Sequence, residues 1–178
     1  MTGTQMNESP GHFQKTKLLV LTALLFAIAL VLSVVENSLP PIPFVVPGVK
    51  LGLSNIVVMF SLFFLDKKQA FAIAILKAGF VFMTRGMIAG VLSFCGGILS
   101  LIIMIVLMVI FKDRISYLVL SIFGAIFHNV GQLAAISILY TNINLLVYLP
   151  VLLIAGVIAG IITSTMLKVI LPAFKRLT

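Results

Sequence analysis

Between Leu18 and Leu171 the chain is a succession of apolar runs, broken only by a few charged residues, polar turns and one proline-rich stretch. That pattern constrains the fold more than any single residue does. A spanning helix needs about 20 mostly apolar residues at about 1.5 Å of rise each. Backbone inside lipid must satisfy its own hydrogen bonds, which leaves helices or closed barrels. Of the 178 residues, 62% are hydrophobic and 9% charged, against about 45–50% and about 25% in a soluble domain. With a mean hydropathy of +1.30, too little polar surface remains to cover a water-soluble globule. The expected class is all-α: an integral membrane protein of six transmembrane helices forming a single domain over 15–178.

The runs predict helices over about 17–36, 51–65, 68–86, 91–111, 115–140 and 145–171. Residues 1–14 are polar and read as a disordered leader. Lys15 and Lys17 precede the first run. A secretory signal would have a shorter apolar region of about 7–15 residues and a small-residue cleavage site. This run is longer and ends in Glu36-Asn37, so a retained helix is the expectation. Pro40, Pro41, Pro43 and Pro47 forbid a regular helix over the following segment, and 37–50 reads as an irregular outer loop. The turn between the third and fourth helices carries Gly86 and Gly90 but little polarity.

Charge placement sets the expected orientation. With the N-terminus in the cytoplasm, Lys15, Lys17, Lys67, Lys68, Lys112, Arg114, Lys168, Lys175 and Arg176 all fall on the cytoplasmic side, nine of the twelve Lys and Arg residues. That is the positive-inside pattern, and it puts both termini inside. The net charge of +8 therefore marks membrane orientation rather than nucleic-acid binding: no basic stripe with interleaved aromatics is present. Cys95 is the single cysteine, so no intrachain disulfide forms.

Several polar residues fall where lipid would exclude them. A charge at mid-bilayer costs about 2.5–3.5 kcal/mol even on the lenient insertion scale. Lys77 falls near the middle of helix three, Arg85 about two turns further out, Glu36 at the outer end of helix one and Lys50 at the outer end of helix two. His128 and Gln132 are four apart on helix five and so share a face, with Asn129 beside them. All share the outer half of the membrane. Together they predict a polar, net-positive cavity open to the outside, suited to a small anionic or strongly hydrogen-bonding ligand, with the proline loop over its mouth. The structural alternatives are a snorkelling or carbonyl-paired Lys77, an Arg85 at headgroup level, an ordinary helix-end Glu36, and interhelical hydrogen bonds of about 0.6 kcal/mol each from His128, Asn129 and Gln132. Gly156 and Gly160 form one small-residue pair and Ala23 and Ala27 another. Both fit internal helix packing, and the alanine pair fits an external partner as well.

No catalytic constellation is legible. Asp66 and Asp113 are isolated beside basic residues, far from the paired aspartate clusters that hold magnesium diphosphate. There is no phosphate-loop lysine motif, no base recognisably paired with a Ser, Thr or Cys nucleophile, and no zinc set from two histidines. The chain is expected to be neither an enzyme nor a metal or cofactor protein.

The stretch Val46-Pro47-Gly48-Val49-Lys50-Leu51-Gly52-Leu53-Ser54-Asn55-Ile56-Val57 resembles the segment entering helix two in the Gx transporter family, also labelled heptaprenyl diphosphate synthase component I. Phe127-His128-Asn129-Val130-Gly131-Gln132-Leu133 resembles that family's helix-five segment. The resemblance adds Asn55 to the candidate ligand set. Size, helix number and termini are also similar to the substrate-binding S components of energy-coupling factor transporters, whose helix-one Ala-x-x-x-Ala motif is matched by Ala23 to Ala27. It implies an uptake subunit of a bacterial cell membrane, for a vitamin-like, flavin- or quinone-related or anionic molecule. Its partners would be a coupling membrane subunit and two ATPase subunits. The synthase label implies instead a non-catalytic membrane component of isoprenoid or quinone metabolism.

Overall fold

The computed structural model describes residues 10–38, 53–140 and 145–175, and the chain there is helical throughout. Six α-helices follow one another: α1 (Pro10–Ser38), α2 (Asn55–Phe64), α3 (Lys67–Arg85), α4 (Met87–Phe111), α5 (Tyr117–Leu139) and α6 (Leu149–Lys175). Short 3-10 turns over Lys112–Arg114 and Leu145–Tyr148 precede α5 and α6. Of the outer loop expected over 37–50, Asn37 and Ser38 belong to α1, and residues 39–50, Lys50 included, lie outside the described residues.

Among the described residues, four helices are long and apolar enough to cross a membrane: Gln14–Ser38 of α1, all of α4 and α5, and Leu149–Val169 of α6. Their outward faces are apolar, with Leu19, Val31, Ile110, Ile138 and Val169 among the exposed large side chains. This is the surface of a protein whose solvent is lipid.

Several boundaries depart from the sequence reading. Helix α1 starts at Pro10, inside the stretch expected to be disordered, because proline at a first helical position gives up an N–H that has no partner there anyway. Helix α2 starts at Asn55 rather than at residue 51 and has ten residues, about 15 Å, half of a hydrocarbon core of about 30 Å. Helices α3 and α4 meet at one residue. Gly86 has φ +87°, a left-handed value that glycine adopts without a Cβ clash, so α4 begins at Met87 instead of residue 91. The Asp66 side chain accepts from the Lys67 N–H at 2.7 Å at the start of α3, and Ser116 caps α5 by accepting from the Val119 N–H at 3.2 Å, the third helical amide that an N-cap hydroxyl ordinarily satisfies.

Neighbouring helices run antiparallel, as the pairs in contact show. Ser121 on α5 meets Gly160 on α6 and Asn129 meets Leu152, so one number rises as the other falls. Gly131 on α5 faces Cys95 on α4, whereas Gly124 faces Met104. The bundle thus has two ends, one at Gly86 and one at Asp66 and Lys112. The larger apolar core, with Leu25, Met59, Ile73, Leu101, Leu120 and Leu167, fills the half toward Asp66. A smaller cluster of Leu92, Leu133, Ile136 and Leu152 sits toward Gly86.

Small residues bring the helices together. A Cβ on Gly160 would lie 2.5 Å from the Ile122 Cα, and one on Gly131 2.9 Å from the Cys95 carbonyl oxygen. Such backbone approach is the means by which helices pack in lipid, where apolar side chains gain nothing by leaving the solvent. The pair Gly156 and Gly160 is therefore internal, against Ile126 and Ile122 of α5. By contrast, nothing lies within 4 Å of a Cβ on Gly97. Gly160→Ala is expected to destabilise the protein by about 1–3 kcal/mol through overpacking against backbone. Gly97→Ala is expected to stabilise it by up to about 1 kcal/mol through helix propensity. Thermal unfolding in detergent reads the two opposite signs.

Candidate functional site: a polar cavity at one end of the bundle

Helix α1 turns Leu25, Ala29, Ser33 and Glu36 inward, a spacing of three or four residues that keeps them on one face. Glu36, at the Gly86 end of that stripe, is buried at 7% exposure. On α3 the inward stripe is Ile73, Lys77 and Val81, continued by the half-buried Arg85. On α5, His128, Asn129 and Gln132 are all buried.

Lys77 is the largest of the fully buried side chains, at 2% exposure. Its Nζ donates to Asn55 Oδ1 at 2.7 Å, joining α3 to the first residue of α2. The pair is a charge-assisted hydrogen bond, the stronger kind. It also puts the start of α2 at the depth of Lys77, about 13 Å from Gly86 by helical rise, and not at the outer end of the bundle as the sequence reading had it. Glu36, Ser54, Lys77, Arg85, His128 and Gln132 line one cavity. Gln132 Nε2 lies 3.1 Å from His128 Nε2. With the amide in this orientation the ring nitrogen accepts, which leaves the ring proton on Nδ1.

The sequence-derived set therefore divides. Glu36, Lys77, Arg85, His128 and Gln132 converge on the cavity. Asn129 turns the other way, its Nδ2 donating to the Leu152 carbonyl of α6 at 2.9 Å. Asn55 reaches the site through Lys77 and lies beneath the cavity rather than in its wall. Lys50 lies outside the described residues. Ser33, Ser54 and Ser93 also line the cavity and were missed from sequence, because a serine in an apolar run is too common to carry a signal. Ala23 and Ala27 are exposed, so their face packs on no other helix among the described residues.

The free space among the lining side chains is about 20 Å³, the room of about one water. A ligand of several heavy atoms enters only if the walls part. Lys77 and Arg85, the acid Glu36, and the imidazole and amide of His128 and Gln132 border this space, and they suit a small anion or a polar group that hydrogen-bonds to several partners at once.

A model of the family described as heptaprenyl diphosphate synthase component I matches residues 25–170. The chain belongs to that family. No curated protein and no solved structure matches it. The match takes in every residue lining the cavity, and also Ala27, but begins after Ala23. Among the described residues of this component I chain, no three His, Cys, Asp or Glu side chains gather where they could hold a metal ion.

Buried charge makes the site costly to keep, and removing one partner of the central pair differs from removing both. Asn55→Leu strands the Lys77 ammonium and is expected to destabilise the component I protein by about 1.5–3 kcal/mol. Lys77→Met removes the charge but leaves the Asn55 oxygen without its donor and is expected to cost about 1–3 kcal/mol, whereas replacing both partners with apolar side chains is expected to be near neutral. Melting temperatures of the two variants and of the double variant check this, with the double variant recovering most of the Asn55→Leu loss.

Proposed function

We propose that this chain is a non-catalytic, multi-pass membrane subunit that binds a small anionic molecule in the cavity around Lys77. One observation carries the reading: a lysine buried among apolar helices, held by one amide, faces a cavity shared with Arg85, His128, Gln132 and Glu36. A group so costly in lipid is kept where it has a task.

The topology that goes with it has six traversals and both termini in the cytoplasm. Lys67, Lys68, Lys112 and Arg114 lie together at the end opposite Gly86, which supports that end as the cytoplasmic one. The ligand then enters from outside, at the Gly86 end. The subunit works as the capture component of an energy-coupled importer. It docks through the exposed Ala23–Ala27 face of α1 onto a coupling membrane subunit that two ATPases drive. The small side chains of that face permit close helix approach.

A second reading is favoured by the family match itself. Here the chain is the membrane component that accompanies a separate heptaprenyl diphosphate synthase, and the basic cavity receives the charged end of an isoprenoid diphosphate or a quinone-related molecule. Both readings use the same pocket and differ in partners.

Native mass spectrometry of the gently purified complex separates them. The importer reading expects ATPase subunits and a stoichiometric polar metabolite. A soluble synthase with a prenyl compound, and no ATPase, establishes the second. In either case His128→Ala and Lys77→Ala are expected to lose the bound molecule while the protein stays folded. Retention of the ligand by both variants would sink the pocket assignment. Ala23→Leu with Ala27→Leu is expected to keep the ligand and lose the ATPases.

A further inference from the structure

Below the Lys77–Asn55 pair, away from Gly86, lies a second and separate cavity of about 10 Å³. Asn55 and Met59 of α2, Ser100 and Met104 of α4, Ser121 and Gly124 of α5, and Thr163 of α6 enclose it. By helical rise Ser100 is about 20 Å from Gly86, near the middle of the bundle and farther in than the polar residues of the first cavity.

The hydrogen-bonding state of its walls is unusual for an apolar interior. The Ser100 hydroxyl is buried, at 2% exposure, and has no hydrogen-bond partner among the described residues; neither has Asn55 Nδ2. Ser121 Oγ donates to the Gly160 carbonyl at 2.8 Å and Thr163 Oγ1 to the Ala159 carbonyl at 2.7 Å, so each hydroxyl keeps oxygen lone pairs free to accept. One free amide donor, one wholly free hydroxyl and two spare acceptors thus surround one small space. Buried water binds in such places: it needs about one probe sphere of room, roughly 10–15 Å³, and two to four polar partners. An apolar cavity would stay dry, and an unpartnered buried hydroxyl or amide costs its full desolvation.

We propose that this cavity binds a single water molecule that accepts from Asn55 Nδ2, exchanges a hydrogen bond with Ser100 Oγ and donates to Ser121 Oγ or Thr163 Oγ1. The water joins α2, α4, α5 and α6 at one point. Through Asn55 and Lys77 it also continues the polar wall of the first cavity to the middle of the bundle. The site does not depend on what the first cavity binds.

Met59 and Met104, at 1% and 2% exposure, line the cavity and serve as reporters. Brief X-ray irradiation of the purified full-length protein in detergent makes hydroxyl radicals from water, including water held inside the protein. Thioethers in contact with that water gain one oxygen, which tandem mass spectrometry locates. The expected result is oxidation of Met59 and Met104 despite their burial. A Cβ on Gly124 would lie 2.9 Å from Met104 Sδ and 3.4 Å from Ser100 Oγ. Gly124→Ala therefore fills the cavity and is expected to reduce labelling of Met59 and Met104 to background while the exposed Met83 is labelled as before. Ser100→Val, which replaces the free hydroxyl with methyl groups, is expected to do the same and decides the matter if Gly124→Ala does not fold. Unlabelled Met59 and Met104 in the unaltered protein, with Met83 labelled, would overturn the proposal. So would undiminished labelling in a folded variant, since the oxidant would then come from elsewhere.

Discussion

Backbone contact along α5 is the interaction on which the bundle depends. Gly131 admits the backbone of α4 on one side of this helix, and Gly160 of α6 lets in the Ile122 backbone on the other. In lipid the packing of these surfaces is dispersion and hydrogen bonding rather than release of water, so separation by even one methyl group is felt. The close approach also makes short polar links possible. Ser121 reaches the Gly160 carbonyl and Asn129 the Leu152 carbonyl only because the α5 and α6 axes are near one another. Helix α1, with small inward contacts at Leu25 and Ala29 and an exposed apolar outer face, sits apart from this core as the least enclosed of the long helices.

On that frame the two halves of the bundle have different chemistry. Toward Asp66 the interior is filled by Leu, Ile, Met and Ala side chains, and the Phe63–Tyr117 edge-to-face pair closes the end. Toward Gly86 a small apolar cluster is pushed aside by Glu36, Lys77, His128 and Gln132. The asymmetry gives the cavity a direction, since polar groups line it toward Gly86 and apolar packing fills the half toward Asp66. A site built this way has a closely packed wall on the α4–α5 side, while Glu36 and Ser54 complete it from α1 and from the start of α2.

The class of fold and most of the cavity were legible in the sequence because lipid makes both conspicuous. Unbroken apolar runs have one interpretation, and a lysine such as Lys77 inside one is expensive enough to notice. The four-residue spacing of His128 and Gln132 was enough to put them side by side. Less legible was anything set by helix rotation or by a single backbone torsion. Asn129 is adjacent to His128 in sequence yet faces α6, because one residue turns a helix by about 100°. The one-residue joint at Gly86 replaces an expected turn, since a glycine in an apolar run looks the same whether it packs a helix or ends one. The short α2 was hidden for a related reason: hydropathy records that 51–65 is apolar and says nothing about where regular hydrogen bonding begins.

Lys77 sets the sense in which the parts cooperate. Its ammonium is held by Asn55, and Asn55 is the first residue of α2. An anion entering the cavity would compete with Asn55 for that ammonium, because a full negative charge is a better acceptor than an amide oxygen. Loss of the amide contact would loosen the start of α2 from α3 and leave the Asn55 oxygen to find a partner elsewhere. The space available without such movement is about 20 Å³, so entry of the ligand and release of α2 are favoured together. If the proposed ligand binds there, the binding energy spent in separating that pair would be unavailable for affinity.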